Sequence, residues 1–249
     1  MSTAALTVGL PAPRPLRLGE TALFLDLDGT LAPIAARPQD VRPDPRRTSL
    51  LERLAERLDG RLAVISGRTL EDIDRILEGC VTSVAAVHGL ILRHPDGRLE
   101  TTPAHPRMAA ATVGFRAFAE LDSGLIVEEK GLSVALHFRQ AAGYADAARA
   151  CAERLAAATG LTLQSGAMVE ELRTPGPDKG ASVQAFMSAP PFAGARPVFV
   201  GDDVTDEDGF AAAQALGGIG VGVGAARPTL AHFRLSGVEA ALTWLESAT

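Results

Sequence analysis

Short unbroken apolar runs alternate along this chain with stretches of helical period. "TALFLDLD" (21–28), "RLAVISGR" (61–68) and "RPVFVGDD" (196–203) are apolar runs of strand length. Between them "TSLLERLAERLDG" places Leu50, Leu51, Leu54 and Leu58 on one helical stripe with Gly60 to end it. "DEDGFAAAQALGG" follows the third run with a second helical pattern. Buried runs that alternate with helices predict a parallel sheet covered on both faces. The fold class expected is therefore α/β, a doubly wound and mostly parallel core.

The middle of the chain carries a different pattern. It predicts a helix at "RMAAATVGFRAFAEL", a hairpin at "LIVEEKGLSVALHFR", a helix at "YADAARACAERLAAATG" and a second strand pair around "LTLQSGAMVEEL". Strand pairs joined by short turns imply an antiparallel sheet, and the proline-bearing stretches "TTPAHPR" and "TPGPDKG" mark crossings between two bodies. The expected organisation is a flexible lead-in over 1–19, a core over 20–104 and 176–249, and an inserted α+β domain over 105–175. Leu242, Trp244 and Leu245 predict a terminal helix packed on the core.

Composition narrows the partners more than the fold. A formal net charge of -6 offers no basic footprint, so neither nucleic acid nor an anionic membrane surface is an expected partner. No apolar run approaches the roughly 18 to 20 residues that span a bilayer. Cys80 and Cys151 stand without metal spacing, which suits a reducing compartment, and the opening residues lack the basic start of a signal peptide. A cytoplasmic location and a monomer are the working expectations.

The three core runs all end in polar residues: Asp26 and Asp28, then Ser66 and Arg68, then Asp202 and Asp203. In an open α/β sheet, ligands bind outside the carboxyl ends of the strands. If these strands are neighbours, several carboxylates meet in one crevice and call for a cation, and oxygen-only ligation favours Mg²⁺ over zinc. Side chains two apart on extended backbone point the same way, so Asp26 and Asp28 can act on one atom. One carboxylate can attack phosphorus to form an aspartyl-phosphate while the other moves protons. Gly29 lets the backbone approach a ligand, and Ser66, Lys179 and Mg²⁺ are candidates to stabilise the transferring phosphoryl group.

In order, "DLDGT", "ISGR", the lysine of "DKG" and "GDDVTDED" resemble the four motifs of the haloacid dehalogenase superfamily of phosphatases. "VHG", "EEKGLSVALHFRQA", "DKGASVQAFM", "PVFVGDDVTDEDGF" and "LGGIGVGVG" further resemble the trehalose-6-phosphate phosphatase family, from about residue 20 to the end. The superfamily resemblance implies Asp26 as nucleophile, Asp28 as general acid and base, and Ser66 and Lys179 as phosphate holders. It also implies Asp202 as metal ligand with Asp26 and the Asp28 carbonyl, and Asp206 in the outer metal shell. Asp203 is divided between that shell and a plain helix start.

The family's insert is a cap that closes over the sugar, with substrate contacts that map onto Glu128, Arg139 and Glu171. Period two supports a polar face independently: Glu128 and Lys130 share one side of a strand, and Ser133, His137 and Arg139 one side of the next, with Val134, Leu136 and Phe138 opposite. Arg68 and His88 complete the expected substrate side, His88 at the core-to-cap region. The sequence departs from the family at Ala167, where lysine is usual, at Ile91, where glutamate is frequent, and at Gly222, where many relatives carry lysine. The expectation is a Mg²⁺-dependent phosphatase of a sugar phosphate, trehalose 6-phosphate first and a related or pseudo-disaccharide phosphate second. A phospho-accepting signalling switch is the rival from another class, but it needs about half this length. "GGIGVGVG" lacks the later acidic residue of a dinucleotide fingerprint and is expected to be a tight sheet-edge loop.

Overall fold

The structure, a computed structural model, describes residues 9–249. Two compact units divide the described chain: one runs to Glu100 and resumes at Pro177, and the other is Thr101–Gly176. The first begins with β1 (Thr21–Leu25), α1 (Pro45–Arg57), β2 (Leu62–Ile65), α2 (Leu70–Leu77), β3 (Ser83–Ala86), β4 (Ile91–Arg93) and β5 (Leu99–Thr101). The second contains α3 (Met108–Ala119), β6 (Ile126–Glu129), β7 (Ser133–His137), α4 (Ala145–Thr159), β8 (Thr162–Gly166) and β9 (Val169–Arg173). The chain then returns to the first unit with α5 (Lys179–Met187), β10 (Arg196–Gly201), α6 (Glu207–Ala215), β11 (Ile219–Val223), β12 (Phe233–Leu235) and α7 (Val238–Glu246).

The first unit is a doubly wound α/β sheet in the order β12-β11-β10-β1-β2-β3-β4-β5, parallel from β12 through β3, with β4 antiparallel to β3. β1 is buried at all five positions, as a central strand covered on both faces must be. Phe24 stacks on Phe192 at 5.5 Å and on Phe186 at 6.2 Å, and Phe199 meets Phe210 edge-on at 5.7 Å. These rings form a core with Val183 of α5 and Ala213 of α6. Complete burial of such a side chain contributes about 1.5–3 kcal/mol. The stripe Leu50, Leu51 and Leu54 of α1 is buried as its spacing requires. That helix starts earlier than the apolar period, because the Asp44 side chain caps it and Pro45 takes the first turn.

Two expectations change. "GGIGVGVG" contains the strand β11, not a loop, and it pairs in parallel with β10 and β12. Two of its glycines serve close packing: a Cβ on Gly218 would lie 1.9 Å from the Pro197 carbonyl oxygen, and one on Gly220 would lie 2.7 Å from the Phe210 ring. In the lead-in, residues 1–8 lie outside the described residues, but 9–19 are tied rather than loose. Trp244 Nε1 donates to the Arg14 carbonyl (3.0 Å), the Arg234 amide donates to the Pro11 carbonyl (2.9 Å), and Leu10 packs on the core. Those partners come from the far end of the chain, so local composition does not reveal them.

The second unit is α+β. Its antiparallel sheet runs β6-β7-β9-β8. Val134, Leu136 and Leu172 pack from one sheet face with Phe115 of α3 and with Ala148 and Cys151 of α4. The opposite face carries the polar row.

Candidate active site

Strand order brings the polar strand ends together, because β10, β1 and β2 are consecutive neighbours. Register extends that adjacency to the residues after the strands: Leu25 pairs with Val200, and the Asp26 amide donates to the Val200 carbonyl (2.9 Å). Asp26 is therefore held beside the Asp202 turn. The following turn is closed by Gly29 N–H to the Ala32 carbonyl (2.7 Å). Gly29 has φ 83, and a Cβ there would come within 2.0 Å of Asp202 Oδ2, so both its conformation and its neighbour demand glycine.

At the centre lies Lys179, the first residue of α5, only 3% exposed. Its Nζ donates to Asp26 Oδ1 and to Asp206 Oδ1, each at 2.7 Å. Asp206 spends its other oxygen on the Asp203 amide (2.9 Å), so this carboxylate fixes both the lysine and the turn. Asp203 Oδ1 in turn accepts from the Val204 amide, in a reciprocal capping box. These bonds are those of a helix cap.

Asp26, Asp202 and Asp206 each bring a carboxylate oxygen within 4.8 Å of the others. Burial pushes Asp26 well above the usual carboxylate range, with Lys179 opposing and Asp206 and Asp202 adding to the rise. Burial, with repulsion from Asp206 and Asp203, pushes Asp202 up to about 7. Burial by itself would lower Lys179, but Asp206 and Asp26 overcome it and raise the lysine. One buried cation among three acids leaves excess negative charge. Asp202 Oδ1 is buried with no hydrogen-bond partner among the described residues, and the donor set is oxygen alone, so these residues fit a hard divalent cation.

A pH dependence follows. The unfolded chain releases the Asp26 and Asp202 protons in the ordinary carboxylate range, while the folded chain keeps both to higher pH, Asp202 to about 7. The folded state then binds more protons across that window, and stability falls as pH rises through it. In a chelating buffer, melting temperature is expected to drop between these pH values, and a divalent cation is expected to restore more above the window than below it. A flat profile in calorimetry would show that the acids are not crowded.

Asp28 is placed differently from Asp26. Its carboxylate takes a two-pronged grip from Arg68, Nε to Oδ2 at 2.5 Å and Nη2 to Oδ1 at 2.8 Å, and Arg68 Nη1 also donates to the Pro38 carbonyl (2.9 Å). This carboxylate lies outside the three-acid cluster. The Arg68 pairing was not legible in the sequence, where Arg68 stood on the substrate side. Ser66, 2% exposed, accepts the Arg68 amide at its hydroxyl (3.3 Å). The His88 ring lies against Gly67, where a Cβ would come within 2.4 Å of it. The His88 amide donates to the Ser66 carbonyl and the Val87 amide to the Arg68 carbonyl, each at 2.9 Å, with both residues left-handed (φ 58 and 47). A strained turn thus braces the Ser66–Arg68 segment.

The second unit holds a row of polar side chains on its open sheet face. Register aligns Glu128, Ala135, Glu171 and Gln164 across four strands. His137 Nε2 contacts Glu128 Oε2 (2.8 Å), Lys130 Nζ donates to Glu171 Oε2 (3.0 Å), and Ser133 Oγ donates to Glu171 Oε1 (2.5 Å). Burial would raise Glu128, but the His137 bond and Lys130 hold it below the usual range. Arg139 Nη2 donates to the Ala167 carbonyl (2.9 Å) at the β8–β9 turn, where Ala167 is exposed. The departures differ in setting: Ile91 is half-buried at the start of β4, and Gly222 is buried in β11.

A sequence profile of the family described as trehalose-phosphatase matches residues 24–239. The trehalose-6-phosphate phosphatase of Escherichia coli (strain K12) is 38% identical over 230 residues, covering 92% of this chain and 86% of that protein. A probable trehalose-phosphate phosphatase of Sinorhizobium fredii (strain NBRC 101917 / NGR234) is 37% identical over 216 residues, 83% of this chain and 79% of that protein. Among solved structures, a trehalose-6-phosphate phosphatase related protein aligns at TM-score 0.75 with 26% identity, over 90% of this chain and 95% of that one. The C-terminal domain of the C. albicans trehalose-6-phosphate phosphatase aligns at TM-score 0.85 over 97% and 98%, and at 20% identity this likeness is one of fold.

Proposed function

Because this chain belongs to the trehalose-phosphatase family, we propose that it hydrolyses trehalose 6-phosphate to trehalose and inorganic phosphate, through an aspartyl-phosphate on Asp26 and with Mg²⁺ as its cation. As a member it is a phosphoric monoester hydrolase. The observation that carries the finer reading is the cluster of Asp26, Asp202 and Asp206 around Lys179, with a buried Asp202 oxygen that lacks a partner among the described residues.

In this reading an Asp26 oxygen attacks phosphorus and the bond from phosphorus to the sugar oxygen breaks. The leaving oxygen takes a proton from Asp28. Asp28 then accepts a proton from water as that water attacks the aspartyl-phosphate, releasing phosphate and restoring Asp26. Both Asp28 oxygens are engaged by Arg68, so Asp28 must exchange this grip for the bridging oxygen before it can donate. Mg²⁺, held by Asp202 and Asp26 with the Asp28 carbonyl and with Asp206 behind them, would neutralise charge on the phosphoryl oxygens. Lys179 and Ser66 hold those oxygens, and Arg68 and His88 shape the approach. Glu128, Lys130, His137, Arg139 and Glu171 bind sugar hydroxyls.

The partner is a small sugar phosphate. Among the described residues no helix is long and apolar enough to cross a membrane. Both cysteines are free, in keeping with a cytoplasmic setting.

Phosphate release from a panel of sugar phosphates tests the substrate. Trehalose 6-phosphate is expected to exceed glucose 6-phosphate clearly in kcat/KM, because the second sugar supplies binding energy remote from the reacting phosphate. Equal values would defeat the assignment. Ala167 favours one second reading, a related or pseudo-disaccharide phosphate. Ala167→Lys, at an exposed turn with room for the side chain, is expected to lower KM for trehalose 6-phosphate if the missing lysine is a lost contact. An unchanged KM would remove the reason for the second reading.

A further inference from the structure

We infer that Arg227 is a positioning residue for the cation site, acting through the backbone of the Asp202–Asp203 turn, and that Glu207 holds it in place. This rests on the cation reading above. Arg227 follows β11, in the segment 224–232. Its Nη2 donates to the Asp203 carbonyl (2.7 Å), its Nε to the Asp202 carbonyl (3.4 Å), and its Nη1 to Glu207 Oε1 and the Pro228 carbonyl (3.2 Å). Glu207, the first residue of α6, also accepts from the Thr229 hydroxyl (2.7 Å) and the Leu230 amide (2.7 Å). One carboxylate thus ties down both Arg227 and the segment that carries it.

The consequence falls on Asp202. Among the described residues its Oδ1 has no hydrogen-bond partner, and its Oδ2 lies against Gly29. Its aim depends on the backbone of residue 202. Two carbonyls at that corner are gripped by one guanidinium, whose rigid fork can reach both while keeping its ion pair with Glu207. From the other side, Asp206 Oδ2 accepts the Asp203 amide (2.9 Å). The turn is clamped at its carbonyls by Arg227 and at its amide by Asp206. Outer partners of this kind shift metal affinity by about 10–100-fold when removed.

Electron paramagnetic resonance of free Mn²⁺, titrated into the full chain after chelator removal, tests this directly. Arg227→Met is expected to raise the Mn²⁺ dissociation constant about tenfold or more, while Arg227→Lys, which keeps charge and one donor, restores part of it. Glu207→Gln is expected to fall between wild type and Arg227→Met. In assays the cation concentration for half-maximal rate should move more than kcat, whereas a general loss of structure would lower kcat at every concentration. Wild-type Mn²⁺ affinity in a folded Arg227→Met protein would overturn the inference. If that variant does not fold, unchanged affinity in Arg227→Lys and Glu207→Gln together would do the same. Failure of the wild type to bind Mn²⁺ would overturn the cation site itself.

Discussion

Asp26→Asn is expected to lower kcat by a factor on the order of 10⁴–10⁶, as loss of an attacking group does in other enzymes with covalent intermediates. The amide has nearly the shape of the acid, so the loss is chemical. Asp26 is 4% exposed and already crowded by Asp202 and Asp206, and neutralising it removes repulsion that burial amplifies. The melting temperature in chelator should therefore not fall, although the bond from Lys179 weakens. Acid quench during turnover of phosphate-labelled substrate should trap label on the wild-type protein and none on the variant. Asp28→Asn should slow both formation and decay of that label. Activity within tenfold of wild type in Asp26→Asn would end the aspartyl-phosphate reading. Stoichiometric labelling of the wild type without turnover would instead favour a signalling switch.

Lys179→Met is expected to damage stability and activity together. The ammonium is the buried cation bonded to Asp26 and Asp206, and an isosteric apolar chain leaves those acids uncompensated. Removing one partner of a buried ion pair costs about 3–5 kcal/mol. Part of that cost is avoided when Asp26, already raised by burial and by its acidic neighbours, keeps its proton, so the loss should grow as pH rises. Saturating divalent cation should return some stability, since it supplies the charge by another route. It should not return the rate: a lost donor to the transferring group costs about 10²–10³-fold. Melting curves with and without cation at two pH values, alongside kcat for the folded fraction, separate the two effects. A variant that melts like wild type at neutral pH and turns over within tenfold would show that Lys179 is an ordinary buried lysine.

The most legible parts were those that depend on near neighbours along the chain. Period two separated Val134 and Leu136, which reach the core of the second unit, from Glu128, Ser133 and His137 on the open face. Runs at 21–28, 61–68 and 196–203 announced β1, β2 and β10 and placed polar residues at their ends. The strands β3, β4 and β5 were not announced, being short and, in β5, exposed along their length. β11 reads as a loop because its alternating glycines resemble a turn, and the approach of Pro197 and Phe210 explains Gly218 and Gly220.

What the amino-acid order determined by itself is which side chains stand at strand ends and which faces are apolar, since covalent spacing imposes both. Only the tertiary structure decided who partners whom. Arg68 grips an aspartate 40 positions away, Lys179 bonds to one 153 positions away, and Arg227 reaches a carbonyl 24 positions away. Those pairings follow from strand order and helix placement, which arise from packing the whole core at once and leave no periodic trace in a single sequence.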